Sequence, residues 1–177
     1  MARKTRIRGR VWVIANDEGI LIDDIDTDQI YHNSHLAVTE MEKMGQYAFG
    51  NLEGWEDFPQ RAKDGDIIIV GKNFGCGSSR QQAVDCFRSL GISAIVAISF
   101  GAIYKRNAIN SGMAIQAIPS MNEKCPLENS DRVELNLESG ELVNMTRDIS
   151  LEGAPASKVQ LDIYRAGGLF AYGRRQL

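Results

Sequence analysis

Residues Arg8 to Ile14 (RGRVWVI) alternate polar and apolar side chains, the period-two pattern of a strand with one buried face. An acidic loop follows at Asp23 to Asp28 (DDIDTD). Met41 to Phe49 (MEKMGQYAF) places apolar residues at 41, 44, 48 and 49, a spacing that predicts a short helix. Residues 53–64 hold Gly54 and Pro59 and read as a connecting loop. Residues 66–70 (DIIIV) form a β-branched run of the kind covered on both faces of a sheet. Ala83, Val84, Phe87 and Leu90 recur at helical steps, predicting a helix over 79–90 with Ser78 or Ser79 available as its cap and Gly91 at its end. Residues 92–98 (ISAIVAI) predict a strand, 104–111 a helix stopped by Gly112, and 114–118 a further strand.

Strand, glycine loop, helix, strand, helix, strand is the order of a parallel α/β core. The tail departs from it. Residues 132–137 (RVELNL) and 141–145 flank Ser139-Gly140, a hairpin signal, so antiparallel strands join the parallel core. The 177 residues contain no internal repeat or low-complexity tract and suit a single domain, 1–177, with a sizeable core.

Composition narrows the functional classes. A net charge of −3 argues against a nucleic-acid partner, which would draw on grouped Lys and Arg, and the Arg174-Arg175 pair is too short to be a basic patch. No apolar run reaches membrane-spanning length, so no membrane partner is expected. The basic start (MARKTRIRGRVWVIA) passes at once into the strand pattern rather than into a leader. Cys76, Cys86 and Cys125 fit neither a disulfide framework nor a C-x-x-C metal pair, and a reducing, cytoplasmic setting is expected. Cys86 lies in the helical pattern as buried packing. Trp12 is expected in the core, and Trp55 in the core or at a subunit interface.

The chemistry concentrates in GKNFGCGSSRQQAV, residues 71–84. The loop lacks the Gly-Lys-Ser/Thr ending of a P-loop and the third glycine of a dinucleotide fingerprint. A loop that leaves a buried strand and enters a helix aims unpaired backbone N–H groups at one spot, which attracts an anion. Gly75 and Gly77 allow positive φ and a close approach. Arg80 offers a planar fork to a carboxylate. An inward-facing serine could lose its proton in the field of the helix start and Arg80 and act as a base. On these residues alone the plainer alternative stays open: a capping serine, glycines that only turn the chain, and a solvated Arg80.

Asp26-Thr27-Asp28-x-Ile30, GKNFGCGSSR, Ser99-Phe100 with Asn107, and Tyr164-Arg165-Ala166-Gly167-Gly168 occur in an order that resembles the aconitase swivel-domain family, over about residues 11–174. That family includes the small subunits of 3-isopropylmalate dehydratase and homoaconitase. The resemblance implies a swivelling β/β/α fold of the aconitase domain 4 type, an α/β architecture with a mixed sheet and a parallel core. It implies a hydro-lyase that isomerises a small 2-hydroxy diacid, 3-isopropylmalate first among the substrates. Ser78 matches the family's catalytic serine and Arg80 the arginine that binds a substrate carboxylate. Thr27, Asp28, Gly77 and Ser79 match positions facing the substrate.

The cofactor implied is a [4Fe-4S] cluster held by three cysteines of a large partner subunit, with none bound by this chain. The assembly implied is a heterodimer or heterotetramer, inactive as the isolated small subunit. Two departures stand out. Gln81-Gln82 replace the family's usual Glu-His after the serines, and His35-Leu36-Ala37-Val38 stand in the specificity loop, with no arginine following. That apolar stretch suits an alkyl substituent better than a third carboxylate, although His32 and His35 could meet an anion when protonated. Homoaconitate, dimethylmaleate and citraconate remain alternative substrates. A carboxylate-binding module without catalysis is the reading from a different class.

Overall fold

The computed structural model describes residues 2–122 and 124–175. Seven strands, β1 (Arg6–Val13), β2 (Ile67–Val70), β3 (Ala94–Ala97), β4 (Ala114–Ala117), β5 (Arg132–Asn136), β6 (Glu141–Asn144) and β7 (Ile149–Glu152), form one mixed sheet in the order β4-β3-β2-β1-β5-β6-β7. β1 joins its two halves. Val11–Val13 pair parallel with β2, while Arg6–Arg10 pair antiparallel with β5. The parallel half then runs through β3 and β4, and the antiparallel half through β6 and β7.

Each face of the sheet carries its own apolar layer. Trp12, Ile68, Val70, Ile95 and Ala97 pack with Phe49, Phe58, Phe74 and Phe87 on one face. Val11, Ile67, Ile69 and Val96 pack with Val133, Leu135 and Leu142 on the other. Double coverage explains why β2 and β3 read as continuous apolar runs rather than alternating ones.

Among the described residues seven α-helices accompany the sheet: α1 (Thr27–Ile30), α2 (Met41–Met44), α3 (Phe58–Arg61), α4 (Gln82–Ser89), α5 (Ala102–Asn110), α6 (Lys158–Ala166) and α7 (Leu169–Arg174). Among the described residues no helix is long and apolar enough to cross a membrane. The acidic loop is partly helical, because Asp26 caps α1 by accepting from the N–H groups of Asp28 and Gln29, while the Gln29 side chain reciprocates. The helix expected over 41–49 breaks after one turn into a 3₁₀ turn at Gly45–Tyr47, and Phe49 takes a positive φ of 58°. The loop at 53–64 contains α3, with Pro59 in its first turn. The helix expected from Ser79 begins at Gln82 with Gln81 as an uncapped N-cap, so neither serine caps it.

Beneath the aromatic layer, Asp66 is 3% exposed. It accepts from Arg10 Nη2 at 2.6 Å, Trp12 Nε1 at 2.7 Å and the Lys63 N–H at 2.9 Å. Burial alone pushes its carboxyl up, but the bonds from Arg10, Lys63 and Trp12 outweigh this and hold it below the ordinary carboxylate range. Trp55 is also core: it is 7% exposed and donates to the Ala15 carbonyl at 3.2 Å. Arg165 ties the tail down, pairing with Glu138 at 2.5 Å.

Candidate functional site

Three connections are strapped together beyond the carboxyl ends of β2 and β3. Gly75 N–H donates to the Ile25 carbonyl at 2.8 Å and Thr27 N–H to the Cys76 carbonyl at 2.9 Å. Phe74 N–H donates to the Ser99 carbonyl at 3.0 Å, and Gly101 N–H returns a bond to the Phe74 carbonyl at 2.8 Å. The glycine loop is thus the middle member of a three-layered backbone stack. Gly75 fits by having no side chain. Its φ is +77°, and a Cβ there would lie 2.2 Å from the Tyr104 ring. Tyr104, fully buried, donates its hydroxyl to the Ala83 carbonyl at 3.0 Å and so wedges the loop against α4.

The stack brings Thr27, Asp28, Gly77, Ser78, Ser79 and Arg80 together. Thr27, 3% exposed, donates its hydroxyl to the Ser78 carbonyl at 2.9 Å, fixing the backbone while Ser78 stays exposed. The Ser79 hydroxyl accepts from Asn107 Nδ2 at 3.2 Å. Arg80 Nη1 donates to Asp28 Oδ1 at 2.9 Å, the Tyr31 carbonyl at 2.6 Å and the Thr27 carbonyl at 3.3 Å. Its side chain is 11% exposed, and its Nε and Nη2 have no hydrogen-bond partner among the described residues. The N–H groups of Gly77, Ser78 and Ser79 likewise meet no acceptor among those residues. Donors therefore outnumber acceptors on this face, which suits an anion.

Asp28 is a partner of Arg80 and not a candidate base. The hydrogen bond from Arg80 is the largest influence and lowers its carboxyl; burial, next in size, pushes it up, and the Asn33 N–H with the His32 and Arg80 charges adds to the lowering, so the net shift is downward.

The proposed specificity loop adjoins this pair through Tyr31. The Tyr31 hydroxyl donates to the His35 carbonyl at 3.2 Å, and the His35 ring stacks on Tyr47 at 3.9 Å and 13°. Leu36 is 39% exposed and Ala37 is exposed, while Val38 packs on the core. Tyr31, Tyr47 and Tyr104 escaped the sequence reading, because the contacts that matter (Arg80 on the Tyr31 carbonyl, His35 on the Tyr47 ring, and the Tyr104 hydroxyl on the Ala83 carbonyl) join separate elements. The Asp26–Gln29 capping box was legible from its D-x-x-Q spacing.

The cysteines do not converge. Cys86 is fully buried in the layer containing Phe87, Cys125 belongs to the layer on the opposite sheet face, and Cys76 lies in the glycine loop with its Sγ 3.5 Å from the Asp24 carbonyl. Burial pushes the Cys125 thiol up to about 11 and the Cys86 thiol far above its ordinary value, so thiolate at either is costly. Among the described residues no group of three His, Cys, Asp or Glu could hold a metal ion. These residues do not fit an iron–sulfur cluster.

The aconitase C-terminal domain profile matches residues 18–118. An isopropylmalate/citramalate isomerase small subunit of Methanocaldococcus jannaschii is 38% identical over 171 residues, covering 97% of this chain and 95% of the relative. The methanogen homoaconitase small subunit of the same organism is 35% identical over 154 residues, covering 87% of each. The crystal structure of 3-isopropylmalate dehydratase from that organism superposes with a TM-score of 0.84 at 33% identity, covering 97% of this chain and 95% of the other.

Proposed function

The chain belongs to the aconitase C-terminal domain family, and from that premise we propose that it is the small subunit of a two-subunit hydro-lyase, 3-isopropylmalate dehydratase, which isomerises a 2-hydroxy diacid by dehydration and rehydration. The observation that carries this reading is the Arg80 guanidinium. It is anchored through Nη1 alone, leaves Nε and Nη2 for a carboxylate, and lies two residues beyond the exposed Ser78.

Arg80 and the open N–H groups of residues 77–79 bind one substrate carboxylate, with Thr27 and Asp28 holding the loop and the guanidinium in place. Ser78, ionised among those donors, takes the proton from the carbon beside that carboxylate. The electron pair of the broken C–H bond forms the double bond as the hydroxyl leaves the neighbouring carbon, giving the unsaturated diacid; the partner's cluster, when bound, would act as the Lewis acid that accepts that hydroxyl. Water then adds with the opposite orientation, and Ser78 returns the proton. The family resemblance implies a [4Fe-4S] cluster on the large subunit, and the scattered thiols of this chain are consistent with ligands supplied by that partner. Three unpaired cysteines suit the cytoplasmic setting we propose.

Leu36 and Ala37, presented to solvent in the loop joined to Arg80, favour an alkyl substituent such as the isopropyl or methyl group of a substituted malate. The test is anaerobic turnover of a panel of unsaturated diacids, including citraconate, dimethylmaleate and homoaconitate, by this chain mixed with its cluster-loaded large subunit. Wild-type turnover with preference for alkyl-substituted acids, lost in Ser78→Ala, is the expected result. Retained turnover in Ser78→Ala would overturn the assignment of the base.

A further inference from the structure

A second concave surface adjoins the glycine loop. Gln81, Arg88, Asn107, Ser111, Phe170 and Arg174 contribute to a depression of about 530 Å³ between α4, α5 and α7. One of these residues reaches the site directly, and a second adjoins it in the chain. Asn107 donates to the Ser79 hydroxyl at 3.2 Å, and Gln81, next to Arg80, donates its amide to the Ser111 hydroxyl at 2.6 Å.

The far rim is apolar and firmly set. Gly167 ends α6 in the left-handed region at φ +93° and Gly168 continues at φ +134°, turning the chain so that α7 leaves beside the end of α5. A Cβ on Gly168 would lie 3.1 Å from the Asn110 carbonyl oxygen, so the turn is packed against its neighbour. Fixed on this turn, Phe170 is 87% exposed and Leu169 40% exposed. An aromatic carried into water by a packed turn at the edge of a depression has the arrangement of an interface anchor.

We propose that this depression, with Phe170 at its rim, is the surface on which the cluster-bearing large subunit seats. The inference rests on the reading above that the active site is shared between two chains. Ser78 is exposed on this chain, so the chain completing the site must cover it, and the surface sharing Asn107 and Gln81 with the loop is the adjoining ground that chain covers. The matching face of the large subunit offers an apolar recess for Phe170, with carboxylates flanking it opposite Arg174. Docking thereby presses on Gln81 and Asn107 and couples assembly to the position of Ser79.

The experiment measures the affinity of the full chain for its cluster-loaded large subunit, with turnover read separately, for wild type, Phe170→Asp and, as a control on α6 outside the depression, Val159→Asp. Phe170→Asp, folded by circular dichroism, weakens association by about thirtyfold or more, and Val159→Asp leaves it unchanged. Equal affinity of Phe170→Asp and wild type overturns the proposal. So does a result in which Phe170→Asp only dissolves a homodimer of this chain. A wild-type complex that loses affinity in Phe170→Asp yet turns over no diacid would sink the proposed function and leave the docking surface standing.

Discussion

Arg80 donates from one nitrogen, Nη1, to both the Asp28 carboxylate at 2.9 Å and the Tyr31 carbonyl at 2.6 Å. The guanidinium is thereby fixed to the turn before His32, and its Nε and Nη2 have no partner among the described residues. Anchoring one end of an arginine removes rotamer freedom that a substrate would otherwise have to freeze, so the binding energy of the carboxylate goes into orientation.

Replacing Asp28 with Asn should release that restraint while keeping the volume. We expect kcat/KM of the assembled enzyme to fall by about a hundredfold, the scale of a small misplacement in a reacting geometry. Steady-state kinetics of Asp28→Asn beside Arg80→Lys checks this, and wild-type kinetics in the Asn variant would show that the pair is not used.

The same carboxylate sets a pH dependence. Because Asp28 is held below its ordinary value of about 4, its ion pair contributes fully above that value and is lost as pH falls through the lower, folded one. The Arg80 restraint should therefore not limit activity at any pH above about 4. A pH profile of kcat/KM that differs between wild type and Asp28→Asn at neutral pH, other than by a constant factor, would contradict this.

Asp66 governs stability rather than chemistry. Removing one partner of a buried ion pair leaves the other uncompensated, so Asp66→Ala should cost about 3 kcal/mol or more in urea unfolding. Its lowered carboxyl stabilises the fold above the ordinary carboxylate value, and that contribution disappears as pH falls through the folded value. Asp66→Asn should accordingly show a flatter loss of stability in acid than wild type.

Gly75→Ala tests the wedge. The new methyl would meet both a positive φ and the Tyr104 ring, and we expect about 2 kcal/mol or more of destabilisation. The companion Gly75→Ala, Tyr104→Leu double variant should recover part of it, with the φ component remaining. Full additivity of the two changes would rule out the steric account.

Tyr47→Leu removes the surface on which His35 stacks. It should shift the ratio of kcat/KM between isopropyl- and methyl-substituted malates by about tenfold, the range of discrimination available to an apolar pocket. An unchanged ratio would detach the His35–Val38 loop from substrate selection.

Much of this molecule was readable along the chain, because its parallel core is built from local signals. Runs such as residues 67–70 and 94–97 have to be buried strands, since nothing else covers so many consecutive β-branched and small apolar side chains, and the periodic residues 83–87 have to lie against them. The glycine loop and its Ser78 and Arg80 were likewise marked by residue type and by family resemblance. Tertiary structure decided what local pattern could not. Gly45 keeps helical dihedrals, but its N–H goes to Ser89 Oγ at 3.1 Å, and the α-helix gives way there to a 3₁₀ turn. The serines of the loop do not cap α4, because the helix starts only at Gln82 with Gln81 at its N-cap; Thr27 holds the Ser78 carbonyl and Asn107 the Ser79 hydroxyl instead. The sequence by itself determined which side chains must be buried and where a carboxylate could bind. Only folding decided which nitrogen of Arg80 is already taken, because Asp28 and Tyr31 approach it across some fifty residues of chain, and contacts of that span leave no periodic trace.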